Sequence, residues 1–255
     1  MFIDTHCHLD DERYSSVENV VNTFVRDGVD FAINMGCSYS SSERGKELSE
    51  QFKQIYFCAG FHPSDVDLFD NELEKTIPLL DHEKCLGIGE IGLDYYWKPF
   101  DKEKQIKCFV SQLELANYKK LPVCIHSREA TGDMINILKQ NKNLLTNGGV
   151  MHCFSGSVET AKELMDIGLY ISFAGPITFK NAGKLLEVAK YVPLEYCLTE
   201  TDSPYLAPHP LRGSVNEPKN VALICAFLAQ LKNIEIESFA KSIMDNAKRL
   251  FKKLK

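Results

Sequence analysis

No run of this 255-residue chain is long and apolar enough to cross a bilayer. The most apolar stretch, residues 221–231 (VALICAFLAQL), is too short for a span and is interrupted by Gln230. No basic segment followed by an apolar core precedes the first apolar run, so no secretory signal is expected. The nine cysteines include no C-x-x-C pair and no disulfide-framework spacing. Cys58, Cys85, Cys124 and Cys197 sit inside apolar runs instead, where a reduced thiol acts as a small hydrophobe, and a reducing cytoplasm is the expected compartment. An excess of positive charge is also missing. The formal net charge of −6 excludes a broad basic surface that coats long nucleic acid, but not a small phosphate pocket with its own cations. Internal repeats, low-complexity segments and linker-like composition shifts are absent too. No membrane and no obligate protein partner is expected, and the balanced surface suggests a monomer.

What the chain does have is alternation. Short β-rich apolar runs fall at 2–6, 30–36, 55–60, 85–90, 122–126, 149–153, 169–174 and 196–201, with longer segments of helical periodicity between them. Between the first two, Ser16 reads as an N-cap, Val17, Val20, Val21, Phe24 and Val25 share a helical face, and Gly28 reads as the stop. Residues 102–120 and 159–167 have similar amphipathic character, and the Lys-rich end (KRLFKKLK) reads as a solvated helix terminus. Eight strands alternating with helices predict a single α/β domain over 1–255, a (β/α)8 TIM-type barrel. A doubly wound open sheet is the second architecture. It gains nothing from the glycines. No G-x-G-x-x-G follows the first strand, and in GIGEIG (87–92) a carboxylate stands where a phosphate would have to approach, so a dinucleotide site is excluded.

The polar residues at the strand ends carry the chemistry. Strand one ends in His6 and His8, which share a face while Cys7 takes the other. Strand four ends in Glu90, strand five in His126, strand six in His152 and strand eight in Asp202. Any one of these could be a turn or loop-entrance residue. Six of them at the C-terminal ends of five strands, where barrel enzymes build their sites, supply ligands for about two divalent ions.

The segments IDTHCHL, GFHP, GIGEIGLDYY, PVCIHSREA, MHCFSG, ETDSPYLAPHP, RGSVNEP and NAKRLF run in order along nearly the whole chain. In these the sequence resembles the TatD-type metal-dependent hydrolases of the amidohydrolase-like barrel superfamily. The resemblance implies that His6, His8 and Asp202 hold one metal, that His126 and His152 hold the other, and that Glu90 bridges them, where superfamily relatives often use a modified Lys on strand four. It further implies a magnesium- or manganese-dependent deoxyribonuclease, of a kind often crystallised with zinc, that trims DNA from the 3′ end. The His-rich set itself leans to zinc, manganese or another transition metal over magnesium, which prefers oxygen ligands.

Two close cations can activate water and clamp the attacking and leaving oxygens of an in-line displacement. Asp202 is the expected acceptor of the water proton. Glu200 shares strand parity with Asp202 and is expected to face the barrel, either as a further base or as a support for a ligand. His62, in GFHP, is expected at the mouth, donating to a phosphate or bridging to a water. Asp94 and Tyr95 fit loop support and substrate contact equally well. Arg128, Lys180 and Arg212 follow strands five, seven and eight, and Arg128 and Arg212 are the expected phosphate contacts. Asn216 and Glu217 are expected to shape their loop. The leading function is therefore a DNA phosphodiesterase. The second, a metal-dependent amidase or lactonase acting on a carbonyl, uses the same ligands.

Overall fold

A computed structural model describes residues 1–255. The apolar runs become eight strands: β1 (Phe2–Cys7), β2 (Val29–Met35), β3 (Ile55–Ala59), β4 (Cys85–Asp94), β5 (Val123–Arg128), β6 (Gly149–Met151), β7 (Leu169–Phe173) and β8 (Cys197–Thr199). Consecutive strands pair in parallel, in sequence order from β1 to β8. β3, β4, β6, β7 and β8 are buried along their whole length, as strands covered on both faces must be.

Ten α-helices surround the strands. α1 (Val17–Asn22) and α2 (Phe24–Asp27) precede β2, α3 (Tyr39–Gln51) follows it, and α4 (Val66–Thr76) follows β3. α5 (Lys102–Lys119), α6 (Thr131–Gln140), α7 (Val158–Asp166) and α8 (Gly183–Tyr191) occupy the next four connections. α9 (Val221–Lys232) and α10 (Ile236–Leu250) close the chain, and both pack on β1. The apolar run 221–231 is thus a buried barrel helix, with Val221, Ile224, Cys225, Leu228 and Ala229 in the core. The architecture is the (β/α)8 barrel.

Three local expectations need correction. The helix expected between Ser16 and Gly28 is two pieces. Ser16 does cap it (Asn19 N–H to Ser16 Oγ, 3.2 Å) and Gly28 does stop it at φ 73°. In between, Thr23 Oγ1 donates to the Val20 carbonyl at 3.0 Å, and the α-helical run breaks there. Val25 consequently faces solvent, 82 % exposed, instead of joining the core. The chain's C-terminal end is not simply solvated. α10 stops at Leu250, Phe251 and Leu254 are buried, and Lys253 Nζ reaches the His82 carbonyl at 3.1 Å. β6 and β8 are also shorter than expected, so His152, Glu200 and Asp202 lie beyond the strand ends.

The seam between β8 and β1 is built differently from the other seven pairings. His8 N–H donates to the Ser203 carbonyl at 2.7 Å and Asp202 N–H to the His6 carbonyl at 2.9 Å. Thr5 Oγ1 donates to the Thr199 carbonyl at 3.0 Å. The buried Asp4 carboxylate accepts from the Thr201 N–H at 2.8 Å and from the Thr201 hydroxyl. Two segments that carry candidate ligands are thereby clamped together where each leaves its strand.

Candidate metal centre

Glu90 stands at the middle of the C-terminal face, and its two oxygens address different partners. Oε2 lies 3.2 Å from His6 Nε2 and 3.5 Å from His8 Nε2. Asp202 Oδ1 completes this group, 3.6 Å from His6 Nε2 and 3.5 Å from His8 Nε2. Oε1 lies 2.8 Å from His126 Nδ1 and 2.9 Å from His152 Nε2, with His62 Nε2 at 3.7 Å. All six expected ligands are therefore together. They form overlapping groups whose donor atoms lie within 4.8 Å of one another, close enough to hold a cation.

The backbone explains how one carboxylate reaches so far. Gly92 lies at φ 145°, and a Cβ there would meet the His126 carbonyl oxygen at 2.0 Å. Only glycine allows β4 to pass β5 this closely. In the register that follows, Gly92 pairs with His126 and Asp94 with Arg128, so Glu90 and Asp94 lie on either side of the His126 ring. Asp202 is itself held at φ 53°, in the left-handed region where a side chain is strained.

The chemistry of the donors fits a metal. His6 Nε2 and His8 Nε2 face each other at 3.2 Å, as do His126 Nδ1 and His152 Nε2, so lone pairs crowd two small volumes that a cation would share. Carboxylates behind the rings fix the tautomers. Asp94 Oδ2 accepts from His126 Nε2 at 3.0 Å and Glu200 Oε1 from His152 Nδ1 at 3.2 Å, turning the opposite lone pair of each ring inward. His62 Nδ1 accepts the Ser64 N–H at 3.1 Å, which leaves its proton on Nε2, the atom facing Glu90. Four imidazoles with carboxylates suit zinc, manganese or a related ion better than magnesium.

Ionisation follows from the packing. Burial pushes the Glu90 carboxyl up, but the surrounding His152, His6, His62 and His126 together hold it well below the usual carboxylate range. Burial takes His62 down to about 3, against the pull of Glu90, so its imidazole is neutral. Burial likewise raises Asp202, and the neighbouring histidines, His8 foremost, overcome it and keep the group below its ordinary value.

The remaining expected residues divide. Arg128, exposed, and His62 line a cavity of about 690 Å³ above Glu90, His126 and Asp202. Arg212 does not join them. It is exposed and lies over the Phe179 ring at 4.5 Å, because the loop after β8 carries it outward, and Lys180 is exposed as well. Glu200 does not reach the cavity either. Its Oε1 takes the Cys153 N–H at 2.6 Å as well as His152, so it supports a ligand from behind. Tyr95 supports its loop, stacking on Phe100 and donating to Asp133 at 2.9 Å. Asn216 is buried and bonds the Thr201 and Tyr205 carbonyls, while Glu217 pairs with Lys219. Cys7 packs inward, its thiol 3.4 Å from the Ile33 carbonyl. Asp94, expected as loop support or substrate contact, has no link to His126 that the sequence alone shows. One residue near the ligands goes unrecognised there: Cys37, just beyond β2, has its sulfur 4.0 Å from both His8 Nδ1 and Glu90 Oε2.

Comparison with known proteins places this arrangement. The chain matches the TatD related DNase family over residues 3–252. It is 41 % identical over 254 residues to the uncharacterised metal-dependent hydrolase YabD of Bacillus subtilis, covering 99 % of each chain. It is 37 % identical to the uncharacterised metal-dependent hydrolase YcfH of Escherichia coli, covering 98 % of this chain and 95 % of that one. Among solved structures, the TatD homologue YjjV of Escherichia coli superposes with a TM-score of 0.93 at 31 % identity, over 98 % of both chains. With its barrel, its donor cluster and these relatives, the chain belongs to the TatD family of metal-dependent hydrolases.

Proposed function

We propose that the protein is a deoxyribonuclease that hydrolyses phosphodiester bonds with two divalent ions and trims DNA from the 3′ end. It would act as a monomer in a reducing cytoplasm, a setting compatible with nine free cysteines. The observation that carries this reading is the division of the donors between the two oxygens of Glu90. His6, His8 and Asp202 would hold one ion and His126 and His152 the other, with Glu90 shared. Divalent ions bound there would supply Lewis acidity for an in-line displacement at phosphorus.

The protein's own groups do the rest. Asp202, whose side chain opens to the cavity, takes the proton of the attacking water. His62, neutral and protonated on Nε2, donates to a phosphate oxygen. Arg128 lines the cavity and has no carboxylate partner, which leaves its guanidinium free for phosphate. Asp94 and Glu200 orient His126 and His152. The test is hydrolysis of a 3′-labelled single strand with magnesium, manganese or zinc, beside a panel of lactones and N-acyl amino acids. Metal-dependent loss of the 3′ nucleotide is expected. Turnover of a lactone or amide with no attack on DNA would replace this reading with the carbonyl-hydrolase one.

A further inference from the structure

We propose that Tyr96, Trp97 and Arg128 form a stacking platform for a nucleobase of the substrate. The inference rests on the phosphodiesterase reading and names what the site grips besides the phosphate. Trp97 is the chain's single tryptophan, and it lies 63 % exposed, with Tyr96 at 43 %. Aromatic side chains of this size are usually buried, and left in water beside a polar cavity they mark a binding surface. Their rings meet edge to face with centroids 4.8 Å apart, and the Arg128 guanidinium lies 3.8 Å over Tyr96 and 5.4 Å from Trp97. Trp97 and Arg128 line the same cavity as Glu90 and Asp202.

The platform is held in place by the site itself. Asp94, which orients His126 through Oδ2, accepts the Tyr96 N–H at 2.9 Å and the Trp97 N–H at 3.4 Å through Oδ1. The Tyr95 N–H donates to the Arg128 carbonyl at 2.9 Å. One carboxylate thus fixes both a candidate ligand and the loop bearing the exposed rings. The opposite wall offers nothing equivalent. There Arg13 stacks on Tyr205, but Asp11 takes its guanidinium through two hydrogen bonds of 2.7 Å, so that pair is neutral. The Trp97 ring, beside an Arg128 guanidinium that is stacked on Tyr96 and has no carboxylate partner, suits a base joined to a phosphate. A base offers a π-face whatever its identity, so the grip is sequence-tolerant and demands an unpaired base.

The test compares a short single-stranded oligonucleotide with an abasic strand of the same length. With metal removed by chelation, the Trp97 fluorescence of the wild-type protein should be quenched by the first strand and not by the second. With metal restored, the wild type should prefer the base-bearing strand by about tenfold in KM. Trp97→Ala should bring that preference close to unity, and Trp97→Phe should restore most of it. Equal quenching by both strands, or an unchanged preference in Trp97→Ala, would overturn the platform and leave the phosphodiesterase reading standing. If neither strand is cleaved with any of the three metals, the phosphodiesterase reading falls and the platform falls with it.

Discussion

The two sides of Glu90 are built by different means. On the Oε1 side, His126 and His152 each have a carboxylate behind the ring, Asp94 and Glu200 respectively. On the Oε2 side, His6 Nδ1 is buried without a partner and His8 Nδ1 meets only the Cys37 sulfur at 4.0 Å. What positions that side is the β8–β1 seam, through its backbone and the Asp4, Thr5 and Thr201 side chains that clamp it, together with stacking of His6 on His152 at 4.0 Å. One side is oriented by charge behind the ligand and the other by chain geometry. Side-chain substitutions behind the ligands should therefore disturb the first side and leave the second nearly untouched.

Removing the shared group should have the largest effect. Glu90→Gln keeps the shape and deletes the charge that both sides address, and activity should fall by on the order of a hundredfold or more, with a modest change in melting temperature. A large drop in melting temperature with a proportionate loss of activity would make Glu90 a structural residue.

The next effect sharpens the comparison itself. In Asp94→Asn the amide oxygen can still cap the Tyr96 N–H, but the amide nitrogen cannot accept from His126 Nε2. Metal affinity should fall by about ten- to hundredfold. Cys37→Ala, the corresponding change behind His8, should shift affinity by no more than about twofold. Equal losses measured by metal titration would erase the distinction between the two sides.

A smaller effect is expected at the mouth. Arg128→Ala should lower kcat/KM on DNA by about tenfold, since a cation facing a partly buried phosphate contributes about 1–3 kcal/mol. Arg212→Ala should stay within about twofold, because Arg212 lies on Phe179 away from the cavity. The reverse order of losses would show that the loop after β8 folds inward when substrate binds.

The sequence was legible wherever regular structure ran up to the residue concerned. The β-rich apolar runs place His6 and Glu90 in the C-terminal halves of their strands, although β4 runs on past Glu90 to Asp94, and the alternation of runs is enough for the barrel. Beyond the strand ends only part of the site is legible: His8, His152 and Asp202 reach the donor cluster, while Glu200 and Arg212 do not reach the cavity. Parity put Glu200 on the same face as Asp202, but β8 ends at Thr199 and Asp202 takes a left-handed φ of 53°, so the two carboxylates part and Glu200 goes behind His152. The expectation for Arg212 rests on its distance along the chain from Asp202, a measure with no meaning in an irregular loop. The Asp94–His126 pair depends on the register between β4 and β5 and on the tight passage at Gly92, neither of which a single strand reveals. Val25 fitted the helical face, and only the Thr23 break turned it outward.

The central claim is that Glu90 divides one donor cluster into two ion sites. Metal content per chain, measured on wild type, His6→Ala/His8→Ala and His126→Ala/His152→Ala after saturation and desalting, tests it most directly. About two ions are expected in the wild type and about one in each double variant, with all three proteins folded. A wild type that retains a single ion, lost entirely in both double variants, would contradict the division and leave one site built from all six ligands.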